Sequence, residues 1–165
     1  MSLPDLLHPL VRRRLGDLGG EFEVMPCDPD LADTAAFVEA YGVPLDRSAN
    51  TILVASKGAE PTYVACVVLA TTSLDVNRVV RREMGVRKAS FAGADPVRVL
   101  TGMEIGGVTP FGLPDDLPVL VDARVMEAPW IVLGGGNRSS KLKLSPDLLR
   151  RLTTVRVIEG LAVTR

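Results

Sequence analysis

Three segments of the chain carry residue types that can do chemistry. Ser48-Ala49-Asn50-Thr51-Ile52-Leu53-Val54 brings polar side chains to the start of an apolar run. Thr101-Gly102-Met103-Glu104-Ile105-Gly106-Gly107-Val108-Thr109-Pro110-Phe111-Gly112 and Gly134-Gly135-Gly136-Asn137-Arg138 are glycine-rich. Glycine lets a backbone come close to a ligand and aim its N–H groups at negative charge, so these two loops could cradle an oxyanion or a phosphate. Neither has the glycine spacing of a P-loop or of a dinucleotide fingerprint. A tight turn between strands accounts for Gly134–Asn137 as well, and a rigid surface turn accounts for Gly106–Pro110.

Other chemistries are poorly supplied. Cys27 and Cys66 form no Cys-x-x-Cys pair, which excludes a zinc ribbon or a thioredoxin-type motif. Both read as buried, small apolar groups. His8 is the single histidine, too few for a His-rich metal site and badly placed for a Ser-His-Asp triad. No metal or cofactor is expected. His8 is expected on the exposed side of the first helix and Trp130 in the core.

Local patterns predict the elements that must hold these segments. Leucines at helical spacing predict a helix over Leu3–Leu18, with Ser2 as N-cap; Pro9 must kink it or mark its true first turn. Glu21–Pro26 reads as a strand, and Asp30 caps a helix running to Tyr41. Thr51–Ser56 and Tyr63–Thr71 form a hairpin whose second strand, almost continuously apolar, is buried on both faces. Ser73 caps a helix through Met84. Val86–Phe91 is a strand, and a short helix runs from Asp95-Pro96 to Gly102. Val119–Asp122, Trp130–Leu133 and Lys141–Leu144 are short strands. A last helix begins at Ser145-Pro146-Asp147, and Val155–Ile158 is a final strand. Strands and helices do not alternate regularly. The expected fold is therefore α+β, one domain over residues 1–165, with a mixed central sheet or partial barrel surrounded by helices. The long Gly/Pro-rich stretch Gly102–Pro118 is the kind of loop that usually carries function.

With 165 residues, 47% hydrophobic content and a mean hydropathy of +0.23, the chain can bury a real core, which excludes disorder as its main state. No apolar run spans a membrane and no secretory leader opens the chain, so a cytoplasmic protein is expected. The net charge of −1 conceals an asymmetry. Residues 1–75 carry five Lys/Arg against eleven Asp/Glu, and residues 76–165 carry fourteen against nine. Such segregation points to an anionic partner on one face.

Taken together, these segments resemble the YbaK/ProX family of aminoacyl-tRNA editing domains, from about Ala49 to about Glu159. Thr101-Gly102…Gly106-Gly107-Val108-Thr109-Pro110-Phe111-Gly112 fits that family's Thr-Gly…Gly-Gly-Val-x-Pro-Phe-Gly pattern closely. Val121-Asp122 matches a following strand aspartate. Gly134-Gly135 and Asp147-Leu148 match the glycine turn and the last helix. The resemblance implies a freestanding deacylase that hydrolyses the ester between a wrongly attached amino acid and the 3′ end of tRNA, with prolyl-tRNA synthetase as a possible further partner.

It also implies the site. Asn50, Gly134 and Gly135 would lie at the ester. Thr51, Gly106, Gly107, Val108, Thr109, Pro110, Asp122 and Asn137 would form the substrate pocket. Beside this implied site, two basic groups, one with Arg78, Arg81 and Arg82 and one with Lys141 and Lys143, read either as contacts for tRNA phosphates or as a solvated face. One position departs from the family: its strand lysine aligns with Asn50, which keeps hydrogen bonding but loses length and charge. Two readings follow. Either the pocket is adapted and active, or the chain is a catalytically silent member that binds tRNA or an aminoacyl or nucleotide ligand.

Overall fold

The structure is a computed structural model that describes residues 2–165. The N-terminal leucine run is divided. Leu3–Leu6 makes a short 3-10 turn, and helix α1 spans Pro9–Leu18. Pro9 is therefore the true first turn, where its missing N–H costs nothing. His8 is the N-cap: its Nδ1 accepts from the Leu10 N–H at 3.2 Å, and its ring is half-buried rather than on the helix's outer side. Strand β1 is Phe22–Pro26.

The next predicted helix also splits. Asp28 caps a 3-10 turn at Pro29–Leu31, and α2 covers only Thr34–Tyr41. Strand β2 (Ala49–Ser56) and β3 (Tyr63–Leu69) form the expected antiparallel hairpin. Thr72–Leu74, expected to begin a helix, is strand β4; the helix starts at Val76, capped by Asp75. Its first part, Val76–Val80, is wider than an α-helix and runs into α3 (Arg81–Met84). β4 is drawn into a strand by a tertiary partner, the C-terminal Ala162–Thr164.

Strand β5 is Ala89–Phe91, and α4 is Ala94–Thr101, ended by Gly102 at φ +70°. After β6 (Val119–Asp122) comes a helix that the sequence patterns did not reveal, α5 (Ala123–Glu127), capped by Asp122. Strands β7 (Ile131–Gly134) and β8 (Ser140–Leu144) make a second hairpin. Pro146–Arg151 is a 3-10 helix, followed by β9 (Val155–Ile158) and β10 (Ala162–Thr164).

The fold is α+β, with a mixed sheet and no closed barrel. Five strands lie in the order β5-β2-β3-β6-β9, antiparallel around β2 and parallel from β3 to β9. An antiparallel sheet, β1-β8-β7, stands beside them. A single bridge, Ser48 to Val132, joins the two sheets. The larger core lies between the sheets and α1, from Val11 and Leu15 to Leu53, Val67, Val121, Leu133 and Leu142. Val76–Met84 covers the opposite face of the five-stranded sheet, over Val54, Cys66, Val68 and Leu120.

Both cysteines are free and buried, as expected. Burial pushes the Cys66 thiol up to about 12 from its ordinary 9.0. The unfolded chain loses this proton near pH 9 while the folded one keeps it, so stability is full below pH 9 and falls as pH rises towards 12. The expected slope from this residue is about 1.4 kcal/mol per pH unit. Denaturant unfolding at pH 8 to 11 should show a steeper alkaline loss in the native protein than in Cys66→Ala.

Candidate functional site

A cleft enclosing about 240 Å³ opens where the two sheets meet. β2 supplies Asn50, Thr51 and Leu53; the 101–118 loop supplies Ile105, Gly106 and Val108; β7 supplies Val132 and Gly134; α2 supplies Thr34 and Phe37. Five predicted site residues thus converge: Asn50, Thr51, Gly106, Val108 and Gly134. Lys141 joins them from β8.

Lys141 is the main correction. Expected on the surface against tRNA phosphates, it is 6% exposed. Its Nζ donates to the Ala32 carbonyl at 2.6 Å, reaches the Gly106 carbonyl at 3.4 Å, and lies 5.1 Å from the centre of the Phe37 ring. Burial holds its pKa below the usual lysine range, an effect that nearby Asp33 opposes. Ser-Lys-Leu-Lys-Leu alternates, so Lys141 and Lys143 share one face of β8 while Leu142 and Leu144 enter the core. Packing α2 over that face is what buries Lys141.

The remaining polar groups complement this cation. Asn50 Oδ1 accepts from the Thr34 hydroxyl at 2.5 Å, which leaves the Asn50 amide N–H groups for the cleft. The Ser48 and Thr51 hydroxyls are buried at the cleft without a hydrogen-bond partner. Gly106 and Val108 donate no backbone hydrogen bond among the described residues. Their N–H groups can therefore serve an incoming carbonyl oxygen. Gly106 has φ +90°, and a Cβ there would strike Arg138 and Asp33.

Gly134 lines the cleft, whereas Gly135 lies off it. The Gly135 N–H is committed to the Ser140 carbonyl at 3.2 Å, and the Gly136 N–H to the Gly107 carbonyl at 2.7 Å. These glycines bring backbone against backbone, joining the 101–118 loop to the β7–β8 hairpin. A methyl group on Gly134 would sit 2.5 Å from the Gly107 carbonyl oxygen. Gly134→Ala should thus pry the loop from the hairpin at a cost of about 1–3 kcal/mol. That corresponds to a melting temperature lower by several degrees, measurable by thermal unfolding.

Several predicted pocket residues lie off the cleft. Gly107 is buried against the Asn137 backbone. Thr109 and Pro110 are buried outside the cleft lining. Asp122 is 1% exposed and caps α5 by accepting from the Arg124 N–H, with its pKa raised by burial. Asn137 donates to the Leu6 carbonyl at 2.8 Å and accepts from the Ser140 hydroxyl at 2.7 Å, so it pins the N-terminal turn to the hairpin. Arg138 braces the rim: Nε donates to the Pro29 carbonyl, and Nη1 donates to Asp33 and to the Ile105 carbonyl. Arg78, Arg81 and Arg82 lie on the Val76–Met84 helix, across the five-stranded sheet from the larger core. Among the described residues, no cluster of His, Cys, Asp or Glu is placed to hold a metal, and no helix is long and apolar enough to cross a membrane.

The fold is thus α+β, with one buried cation, Lys141, in a cleft where two sheets meet, beside polar side chains and backbone N–H groups that make no hydrogen bond among the described residues. The chain belongs to the aminoacyl-tRNA editing domain family, whose model matches residues 28–152. It is 29% identical over 147 residues to the uncharacterized protein YwhH of Bacillus subtilis (strain 168), covering 89% of this chain and 91% of that one. Among solved structures it is similar to a proposed trans-editing enzyme for prolyl-tRNA synthetase. That match has a TM-score of 0.77 and 25% identity, over 93% of this chain and 97% of the other. The hypothetical protein APE2540 shares the fold with a TM-score of 0.82 at 23% identity, over 93% and 99% of the two chains.

Proposed function

We propose that the protein is a freestanding aminoacyl-tRNA deacylase, acting on the ester that joins a wrongly attached amino acid to the 3′-terminal ribose of tRNA. The observation that carries this reading is the Lys141 ammonium, buried in an amino-acid-sized cleft beside unpartnered hydroxyls and free backbone donors. The aminoacyl group enters with its side chain among Ile52, Val97, Ile105 and Val132. Asn50 and Thr51 hold its polar atoms. Water adds to the ester carbonyl, and the carbonyl oxygen gains the negative charge. That charge is met by Lys141 and by the Gly106 and Val108 N–H groups. The carbon–oxygen bond to the ribose then breaks, and the proton from the water ends on the ribose oxygen. The products are a free amino acid and a tRNA with its hydroxyl restored. An aminoacyl ester is already reactive, so positioning and charge stabilisation suffice without a strong general base.

The family resemblance makes prolyl-tRNA synthetase a candidate partner, as the source of mischarged tRNA. Arg78, Arg81 and Arg82 would serve the body of the tRNA; reversing Arg81 and Arg82 to Glu should then weaken binding and flatten its salt dependence. The alternative, a silent member that binds without hydrolysis, is favoured by one observation, Asn50 at the lysine position. A panel of mischarged tRNAs separates the two. Release of one amino acid at rates well above spontaneous hydrolysis supports the deacylase. Binding across the panel with no release supports the silent reading.

A further inference from the structure

Outside the cleft, the outer face of β7 and β8 carries a group that the reaction does not use. Trp130, expected in the core, is half-buried there: it packs against the buried cluster of Cys27, Ala32, Phe37, Val43 and Val132 and keeps part of its surface in solvent. The Lys143 Nζ lies 4.4 Å from its ring centroid, and the Arg47 guanidinium carbon lies 5.6 Å from it. Among the described residues, neither cation pairs with a carboxylate, although Glu23 stands directly across from Lys143 in the sheet.

Each member of this group sits next to a residue that lines the cleft. Arg47 precedes Ser48. Lys143 is two positions from Lys141 on β8, so it shares a face with it about 6.6 Å away, and Trp130, which leads into β7, is two positions before Val132. A half-exposed aromatic ring with two mobile cations beside it, next to the cleft, has the composition of a single-stranded nucleic acid platform: a base can displace the cations from the ring and stack on it, while the cations meet the flanking phosphates.

Resting on the deacylase reading, we infer that this face binds the unpaired 3′ end of the RNA that carries the ester. One base stacks on the Trp130 indole, and the flanking phosphates take Arg47 and Lys143. The next same-face step along the strands delivers the terminal ribose to Lys141.

Trp130 is the single tryptophan of the chain, so its fluorescence reports the platform directly. The probe is a single-stranded RNA oligonucleotide ending in CCA with a free 3′ hydroxyl and no amino acid attached, which requires no hydrolysis. It should quench the indole emission. Inorganic polyphosphate, which has charge but no bases, should quench far less. Anisotropy of the labelled oligonucleotide should show affinity weaker by about 5- to 150-fold in Trp130→Leu, the range expected for losing one stacked base. Arg47→Ala combined with Lys143→Ala, which leaves the core intact, should flatten the plot of log K against log salt by about 1.4. On mischarged tRNA, these variants should raise KM and hold kcat, while hydrolysis of an aminoacyl ester of adenosine alone stays unchanged. The inference is overturned if RNA leaves the emission unaltered, if polyphosphate quenches equally, or if the variants bind RNA as the native protein does. Quenching by a protein that hydrolyses no ester keeps the platform and removes the deacylase. Hydrolysis that is indifferent to Trp130, Arg47 and Lys143 does the reverse.

Discussion

Lys141→Met is expected to lower kcat/KM for ester hydrolysis by about 10- to 100-fold. The side chain keeps its length and loses its charge. A hydrogen bond from an ionised donor contributes about 1.5–3 kcal/mol, or one to two decades in rate. The variant also leaves the Ala32 carbonyl without its 2.6 Å donor, but it removes a buried cation as well. These effects on stability oppose each other, so the melting temperature should move little. The pH profile separates a chemical role from a structural one. Burial holds the Lys141 pKa below the lysine range. If the ammonium form stabilises the oxyanion, the ratio of native to Lys141→Met activity falls as pH rises through that lowered pKa. A ratio that rises instead would assign Lys141 the role of a base, and a ratio of one at all pH values would remove it from the chemistry.

Asn50→Lys should lower activity rather than raise it, by about tenfold. On sequence alone, a lysine at this position restores the family pattern. In the structure the cleft already holds Lys141, and two ammonium groups would share one small volume of low dielectric. Each then disfavours the charged form of the other. Asn50→Lys would also break the 2.5 Å hydrogen bond that holds Thr34. The decisive variant is the exchange, Asn50→Lys together with Lys141→Met, which leaves one cation delivered from β2 instead of β8. It should recover at least part of the activity lost in either single variant, a departure from additivity that a double-mutant cycle reads directly. An exchange no better than the worse single variant would show that the cleft requires its cation on β8.

The hairpin of β2 and β3, the short strands β6 and β9, and the stop at Gly102 were legible because the signals are local. β-branched runs, apolar continuity and a glycine after a helical turn act within a few residues. The glycine-rich loops were also legible as a pattern, and with them the family. Elements whose form depends on a distant partner were not legible. Thr72–Leu74 resembles a helix start until Ala162–Thr164 pairs with it, and Asp122 resembles a pocket acid until α5 is built on it. The glycines were read as space for a ligand. At Gly107 and Gly134 the fold uses that space to let two backbones touch.

The largest difference is at Lys141. Alternation along Ser140–Leu144 already places Lys141 and Lys143 on one face of a strand. What covers that face is decided by the 3-10 turn, α2 and the Gly106 loop, all more than thirty residues earlier in sequence. Strand period is a property of neighbouring residues, whereas burial is a property of which surfaces meet. Covering Lys141 with Phe37 and the Ala32 carbonyl, while Lys143 stays beside Trp130, gives two similar lysines different chemistry. One becomes a desolvated cation in a cleft, and the other remains a surface charge.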